Sequence, residues 1–241
     1  MSRPKRLFYI DNLRTFLTIL VIVLHAAVTY GSEGGWYYQE PTEEMLAIIP
    51  LTMISAILQS FFMGLFFFIG GYFTPGSYDR KGTWKYLLDR LLRLGIPCLI
   101  FYFGIAPLAL YLAVVLLEGG EAVYAPHIGT MWFAQALLLL GIVYARVRAV
   151  SRSKPGVDGQ DRFPAAWHFV LAAIAMAFLT WLVRYFYPRG TGMYGMIFGD
   201  FPQYLLMFVA GIIAYRQNWL SSVETVKRRW LWIAFGVLVL L

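Results

Sequence analysis

Long apolar runs recur from one end of this chain to the other, and they constrain its fold more than any other feature. Crossing the hydrocarbon core of a bilayer, about 30 Å thick, takes roughly 20 residues of helix at about 1.5 Å per residue. Of the 241 residues, 60% are hydrophobic and 14% are charged, whereas an average soluble domain carries about 25% charge. The pattern therefore predicts an all-α, polytopic integral membrane bundle.

The predicted spans are residues 13–30, 48–73, 94–117, 131–145, 165–187, 201–215 and 230–241. Only twelve residues of the last run are present, too few to cross a bilayer at any ordinary tilt. We therefore expect six complete spans plus a truncated seventh. We also expect a single transmembrane domain over residues 1–241, incomplete at its C-terminus.

The basic residues cluster in alternate loops, and this clustering predicts the orientation. With the N-terminus in the cytoplasm, 18 of the 20 Lys and Arg residues lie at the start of span 1 or around the inner loops, and only Arg184 and Arg189 lie outside. The positive-inside rule favours this topology. We expect a multi-pass protein of the inner cell membrane. The net charge of +7 is then explained without nucleic acid, and anionic lipid headgroups of the bilayer are the expected contacts.

Local features within the spans indicate how the helices pack. Pro97 and Pro107 both fall in span 3, which predicts a kinked or broken helix. The paired glycines in FFFIGGYF (66–73) favour close helix approach. Cys98 is the only cysteine, which excludes an internal disulfide and a cysteine-rich metal cluster.

Span 1 contains RTFLTILVIVLH (14–25), an arginine and a histidine separated by ten residues. Eleven steps of about 100° leave Arg14 and His25 about 20° apart on the helix, with Asp11, Thr18 and Thr29 within about 60° of Arg14. Taken alone, Arg14 could simply extend to the inner headgroups. His25 lies roughly 16 Å further out, near or just past the expected midplane.

An ionisable side chain at that depth indicates function by default, although a histidine hydrogen-bonded only for structure is the alternative. The uncharged imidazole is the form that a general base needs. His25 is therefore the candidate general base.

A second basic pair opens span 3 in LLDRLLRLGIP (87–97), where Arg90 and Arg93 are three residues apart. Residues at this spacing share a helix face. Both could be topogenic charges, but two guanidinium groups beside a buried histidine also suit a phosphate-bearing ligand that enters from the cytoplasm.

These features together resemble the acyltransferase-3 family of integral membrane acyltransferases. Its marks are a basic residue, ten residues and a histidine in the first span, and RxxR at the start of the third. Here they are Arg14 with His25, and Arg90 with Arg93. Three stretches also resemble the family: IDNLR (10–14), FFMGLFFFIGGYFTPGSYDRKG (61–82) and DRLLRLGIP (89–97). Within the family, the sequence resembles the glucan-modifying branch. The resemblance runs from about Leu7 to at least Leu140.

The resemblance implies transfer of an acyl group, succinyl or acetyl, from cytoplasmic acyl-CoA to a hydroxyl of an extracytoplasmic carbohydrate. It implies that His25 is the essential histidine, Arg14 its basic companion, and Arg90 and Arg93 the donor-binding arginines. Acyl-CoA is then a substrate, and no permanently bound cofactor or metal is expected. Many members have His-Leu-Trp-Phe at the start of span 4, whereas this chain has GTMWF (129–133), so no role transfers to His127.

Other functions fit parts of the pattern. A polytopic transporter or proton-coupled permeation protein would also need a polar stripe, but the spans contain few acids and no internal repeat. Bis-histidine haem ligation needs facing histidines at similar depth, which the three histidines do not provide. A structural scaffold would tolerate loss of His25.

Four residues are further candidates for acceptor contacts: Gln59, Trp132, Gln135 and Asp200. The sequence defines no oligomeric state.

Overall fold

The computed structural model describes residues 8–117, 119–121, 123–151, 164–188, 192–193 and 196–219. These residues are almost entirely helical. The α-helices are α1 (Phe8–Thr29), α2 (Met45–Arg90), α3 (Ile96–Ile100), α4 (Ala106–Tyr111), α5 (Trp132–Ser151), α6 (Ala166–Phe186) and α7 (Phe201–Arg216). Short strands β1 (Gly192–Met193) and β2 (Met196–Ile197) pair antiparallel. The 3₁₀ turns are Gly129–Met131 and Phe198–Asp200.

Five helical stretches of the described residues are long and apolar enough to cross a membrane. They are Phe8–Thr29, Met45–Leu116, Gly129–Ser151, Trp167–Phe186 and Phe198–Arg216. They cover the first six predicted spans in order, whereas the predicted span at 230–241 lies outside the described residues.

The predicted count of six separate spans is not reproduced, because spans 48–73 and 94–117 lie within one helical stretch. Met45–Leu116 has 72 residues, which as helix would extend about 110 Å, more than three times the hydrocarbon thickness. The chain leaves helical geometry at Gly82, where φ is 70° and ψ is 170°. The segment expected as a loop between these spans is thus itself helical on either side of one glycine.

The chain falls into two compact units that divide within α2, between Phe66 and Phe67. The described part of the first unit contains α1, the loop after it and the start of α2. The described part of the second unit contains the rest of α2 and all later elements.

In the second unit, glycines let helices α2 and α7 approach closely. A Cβ atom built on Gly71 would overlap the carbonyl oxygen of Phe208, and one on Gly211 would overlap the carbonyl oxygen of Phe68. Gly70 faces Leu137 of α5, whose Cδ2 would lie 2.7 Å from a Cβ atom. Small residues at a helix interface are the usual means of such packing in membranes. The close approach predicted from FFFIGGYF is confirmed.

The segment predicted as span 3 stays helical but is disturbed around both prolines. Three π-helical turns interrupt it: Leu91–Gly95, Phe101–Ile105 and Leu112–Leu117. Pro107 has no N–H to donate to the carbonyl of Phe103, four residues earlier. The Tyr124 hydroxyl donates to that carbonyl instead, at 2.7 Å. The predicted disturbance is present as changes of helical pitch, not as an end of the helix.

Candidate functional site

His25 lies near the end of α1 in the first unit, four residues before the helix ends at Thr29. This position is roughly 10 Å beyond the helix midpoint. The side chain is half-buried. Its Nδ1 lies 2.7 Å from the carbonyl oxygen of Val21. A carbonyl only accepts, so Nδ1 must carry the hydrogen, and a neutral ring then has its lone pair at Nε2. The geometry leaves Nε2 as the basic atom.

Trp36, in the loop that follows α1, covers one side of this imidazole. The centroids of the His25 and Trp36 rings are 4.1 Å apart, and the ring planes meet at 46°. Tyr37 meets Trp36 edge-on at a centroid distance of 5.2 Å. Burial raises the pKa of the Tyr37 hydroxyl above its ordinary value. The surroundings of His25 within this unit are therefore strongly aromatic.

The loop reaches His25 because its backbone folds back over the end of α1. The N–H of Glu40 donates to the carbonyl of Thr29 at 2.8 Å, and the side-chain amide of Gln39 donates to the carbonyl of Gly34 at 2.8 Å. Gly34 has φ of 145°, and a Cβ atom there would lie 3.1 Å from a methyl carbon of Val28. Glycine is thus required at this turn for both conformation and space.

Arg14 is exposed and lies eleven residues before His25 on the same helix. This spacing is about 16 Å along the axis, so the two side chains are too far apart to hydrogen-bond directly. The predicted polar stripe is satisfied locally, because the hydroxyls of Thr18 and Thr29 each donate at 2.9 Å to the carbonyl four residues earlier. The structure keeps Arg14 and His25 on one helix but does not bring their side chains together.

Arg90, at the end of α2 in the second unit, extends inward. Its Nη2 donates to the hydroxyl of Thr74 at 3.1 Å, and its guanidinium lies 5.2 Å from the ring centroid of Tyr86. Thr74 is 1% exposed and donates in turn to the carbonyl of Gly70 at 2.8 Å. The Arg90 Nε is buried and has no hydrogen-bond partner among the described residues.

Arg93 has different surroundings, although it is only three residues further on. Its side chain is 74% exposed, and its Nε pairs with Asp89 at 3.0 Å. Lys81 contacts the other oxygen of the same carboxylate at 2.7 Å. The π-helical turn Leu91–Gly95 follows Arg90 directly. The Arg90 guanidinium therefore faces inward, whereas the Arg93 guanidinium is exposed.

A buried ionic cluster that the sequence did not predict joins α2, α5 and α7. Asp79 accepts from Arg216 Nη1 at 2.7 Å and from Arg148 Nη2 at 3.3 Å. Arg216 also donates to the hydroxyl of Tyr144 at 3.0 Å. The side chains of Asp79, Arg148 and Arg216 are 17%, 14% and 18% exposed. We call these three residues and Tyr144 the Asp79 cluster.

Arg148 and Arg216 are among the 18 basic residues predicted on the inner side, where contacts with headgroups are expected, whereas both pair with Asp79. The sequence feature that could have predicted this cluster is Asp79 itself, an acid among basic residues. The cluster also brings the ends of α5 and α7 together with the α2 segment, which agrees with the predicted alternation of spans 2, 4 and 6. Of the two arginines predicted outside, Arg184 also pairs with protein, because it donates to Asp200 at 2.5 Å, whereas Arg189 lies outside the described residues.

The further candidates for acceptor contacts have varied surroundings. Trp132 joins an aromatic cluster in which Phe67 stacks on Tyr204 at a centroid distance of 4.7 Å. Asp200 is paired with Arg184, and Gln59 is exposed on α2. The buried Oε1 of Gln135 has no hydrogen-bond partner among the described residues. Two of the four therefore have clear structural contacts.

An open apolar cavity of about 400 Å³ lies between α6 and α7. Its lining is aliphatic and aromatic, with Leu179, Val183 and Leu205 among the contributors. It contains none of the predicted site residues. In the described part of the chain, no group of three or more His, Cys, Asp or Glu residues could hold a metal ion.

The described residues form five helical stretches that are long and apolar enough to cross a bilayer, and these define a multi-pass membrane protein. The first of them contains the half-buried His25. The chain belongs to the acyltransferase-3 family, because the family model described as an acyltransferase domain matches residues 7–241. It is 22% identical over 247 residues to glucans biosynthesis protein C of Escherichia coli (strain K12), and 24% identical to that of Shigella dysenteriae serotype 1 (strain Sd197). Each alignment covers 93% of this chain and 62% of the relative, so the chain spans less than two thirds of these relatives. No solved structure matches it.

Proposed function

We propose that this protein transfers an acetyl or succinyl group from cytoplasmic acyl-CoA to a hydroxyl of an extracytoplasmic carbohydrate. The observation that carries the proposal is the fixed tautomer of His25, whose Nδ1–H is held by Val21 and whose Nε2 is left to accept a proton. Membership of an acyltransferase family supports the reaction class. The similarity to glucans biosynthesis protein C supports a carbohydrate acceptor.

In this reaction the acceptor hydroxyl oxygen attacks the thioester carbonyl carbon while Nε2 of His25 takes the hydroxyl proton. The resulting tetrahedral intermediate collapses with cleavage of the C–S bond, and the imidazolium returns the proton to the leaving thiolate. The products are an ester and free coenzyme A. General-base assistance of this kind contributes about 10²- to 10⁴-fold to a rate. In the alternative route, the same nitrogen attacks the thioester first and expels the coenzyme A thiolate, and the acceptor hydroxyl then attacks the transient acyl-histidine to give the ester and regenerate His25.

The donor phosphates would bind at Arg90 and Arg93, where guanidinium groups offer several N–H donors. Arg93 is exposed, and the Arg90 Nε has no partner within the described residues. Arg14 is a further exposed cation for donor phosphate. This assignment goes with an inner-membrane protein whose N-terminus is cytoplasmic, the orientation that the positive-inside rule favours.

The proposal is tested by transfer of radiolabel from acetyl-CoA and succinyl-CoA to extracytoplasmic glycan in membranes containing the protein. We expect His25→Ala at matched abundance to reduce labelling by at least about 100-fold, because the proton acceptor is lost.

His168→Ala is the matched control for this substitution. The Nδ1 of His168 also contacts a backbone carbonyl, that of Ala165 at 3.3 Å, and its ring also contacts a tryptophan, Trp167. It is exposed at the start of α6, so its loss should leave labelling unchanged. Full labelling by His25→Ala would refute the mechanism, and solute flux without labelling would favour the transporter alternative.

A further inference from the structure

We propose that Trp36 is a positioning residue for His25, which holds the imidazole so that Nε2 faces the acceptor hydroxyl. This inference rests on the proposed function and adds to it a residue to which neither the family match nor the relatives' names assign a role. It follows from the contacts of the loop 30–44 with the end of α1.

One hydrogen bond is not enough to orient the His25 ring. The contact of Nδ1 with the Val21 carbonyl fixes one atom at 2.7 Å, but the plane of the ring can still tilt about it. Trp36, with its centroid 4.1 Å away, blocks that tilt on one side. The two contacts together define the direction of Nε2.

The position of Trp36 is itself fixed by Tyr37 and by the hydrogen bonds of the loop. The ring of Tyr37 packs against Trp36 in an edge-type arrangement. The loop is tied to the end of α1 by backbone hydrogen bonds, from the N–H of Ser32 to the Ala27 carbonyl at 2.9 Å and from the N–H of Glu40 to the Thr29 carbonyl at 2.8 Å. A tryptophan eleven residues away from a histidine reaches it only through such a fold. The contact between Trp167 and His168, by contrast, needs nothing beyond sequence adjacency.

An imidazole that is present but wrongly oriented is a poor base, because misplacement of a reacting group by about 1 Å can reduce a rate about 100-fold. We therefore expect Trp36→Leu to lower kcat for acyl transfer by about 10- to 100-fold and to leave the KM for acyl-CoA unchanged. Trp36→Phe keeps an aromatic face against His25 and should restore most of the rate.

A second readout does not depend on transfer. Diethyl pyrocarbonate carbethoxylates an unprotonated imidazole nitrogen and releases ethanol and carbon dioxide. Mass spectrometry of the peptide that contains His25 then gives the rate of modification at a fixed pH. We expect Trp36→Leu to raise this rate several-fold and Trp36→Phe to leave it near that of the parent. His168 in the same sample is the internal reference.

Glycine variants of the same loop keep the side chains of both Trp36 and His25. They therefore test whether the conformation of the loop alone positions the imidazole. Gly34→Ala meets Val28 at a strained φ of 145°, so it should displace the loop and behave like Trp36→Leu. Gly35→Ala is the matched control, because a Cβ atom there has no neighbour within 4 Å. It should behave like the parent in both assays.

The two proposals fail in different ways. If the parent transfers acyl groups and His25→Ala does not, but Trp36→Leu matches the parent in transfer and carbethoxylation, the role of Trp36 is wrong and the proposed function stands. If Trp36→Leu exposes His25 to the reagent while the parent transfers no acyl group, the proposed function is overturned, and with it the role of Trp36 in that reaction.

Discussion

Arg90 and Arg93 occupy neighbouring positions in sequence but have different physical roles in the structure. The Arg90 guanidinium donates to a buried hydroxyl and lies over a tyrosine ring, so its position is fixed by Thr74 and Tyr86. Arg93 is exposed and paired with Asp89, and exposed pairs of this kind contribute little to stability. Binding a donor phosphate would therefore displace a weak ion pair at Arg93, whereas at Arg90 it would add to contacts that already support the fold.

Substituting these arginines should separate binding from stability. Arg93→Gln is expected to raise the KM for acyl-CoA about tenfold with unchanged thermal stability, since one charge-assisted hydrogen bond contributes about 1.5 kcal/mol. Arg90→Gln should raise the same KM and also lower the melting temperature, because Thr74 loses its donor. Initial rates against acyl-CoA concentration and thermal unfolding in detergent measure the two effects. Arg80→Gln, exposed in the same segment, is the control; an equal rise in its KM would show that only general charge matters.

The Asp79 cluster joins α2, α5 and α7 in the second unit. Two guanidinium groups from α5 and α7 share one carboxylate from α2, and all three side chains are largely buried. A buried ion pair gains little over an apolar contact, because desolvation opposes the Coulomb attraction. Removal of one partner is different, since it leaves charges buried without compensation. The cluster therefore makes the assembly of these three helices dependent on Asp79.

Asp79→Asn should lower the free energy of unfolding by about 3 kcal/mol, because Arg148 and Arg216 lose their shared carboxylate. Asp89→Asn removes an equally paired acid whose partners Lys81 and Arg93 are 29% and 74% exposed, so a loss of about 1 kcal/mol or less is expected. Thermal or denaturant unfolding of both variants in the same detergent gives the comparison. Equal losses for the two aspartates would contradict a special role for the cluster.

Over the whole chain, the sequence predicted what depends on local composition. Apolar runs gave the order of the spans, because hydropathy reports directly on burial in lipid. The Asp79 cluster joins residues 69 and 137 positions apart, and no periodicity carries such pairings. Trp36 reaches His25 through a loop that depends on positive φ at Gly31 and Gly34, so turn chemistry, not helical spacing, decides that contact. Gly82 lies where a loop between two spans was predicted, but the chain is helical on both sides of it.

Orientation in the membrane is the prediction that concerns the molecule as a whole. Cys98 is the only cysteine, so a Cys98→Ala protein gives a background for single cysteines at exposed positions. With the N-terminus in the cytoplasm, a membrane-impermeant maleimide added to intact cells should label Glu33→Cys and Val123→Cys. It should label Arg80→Cys and Ser151→Cys only after permeabilisation, because the basic loops resist translocation. The reverse pattern would put Arg90 on the side without acyl-CoA and exclude the proposed donor site.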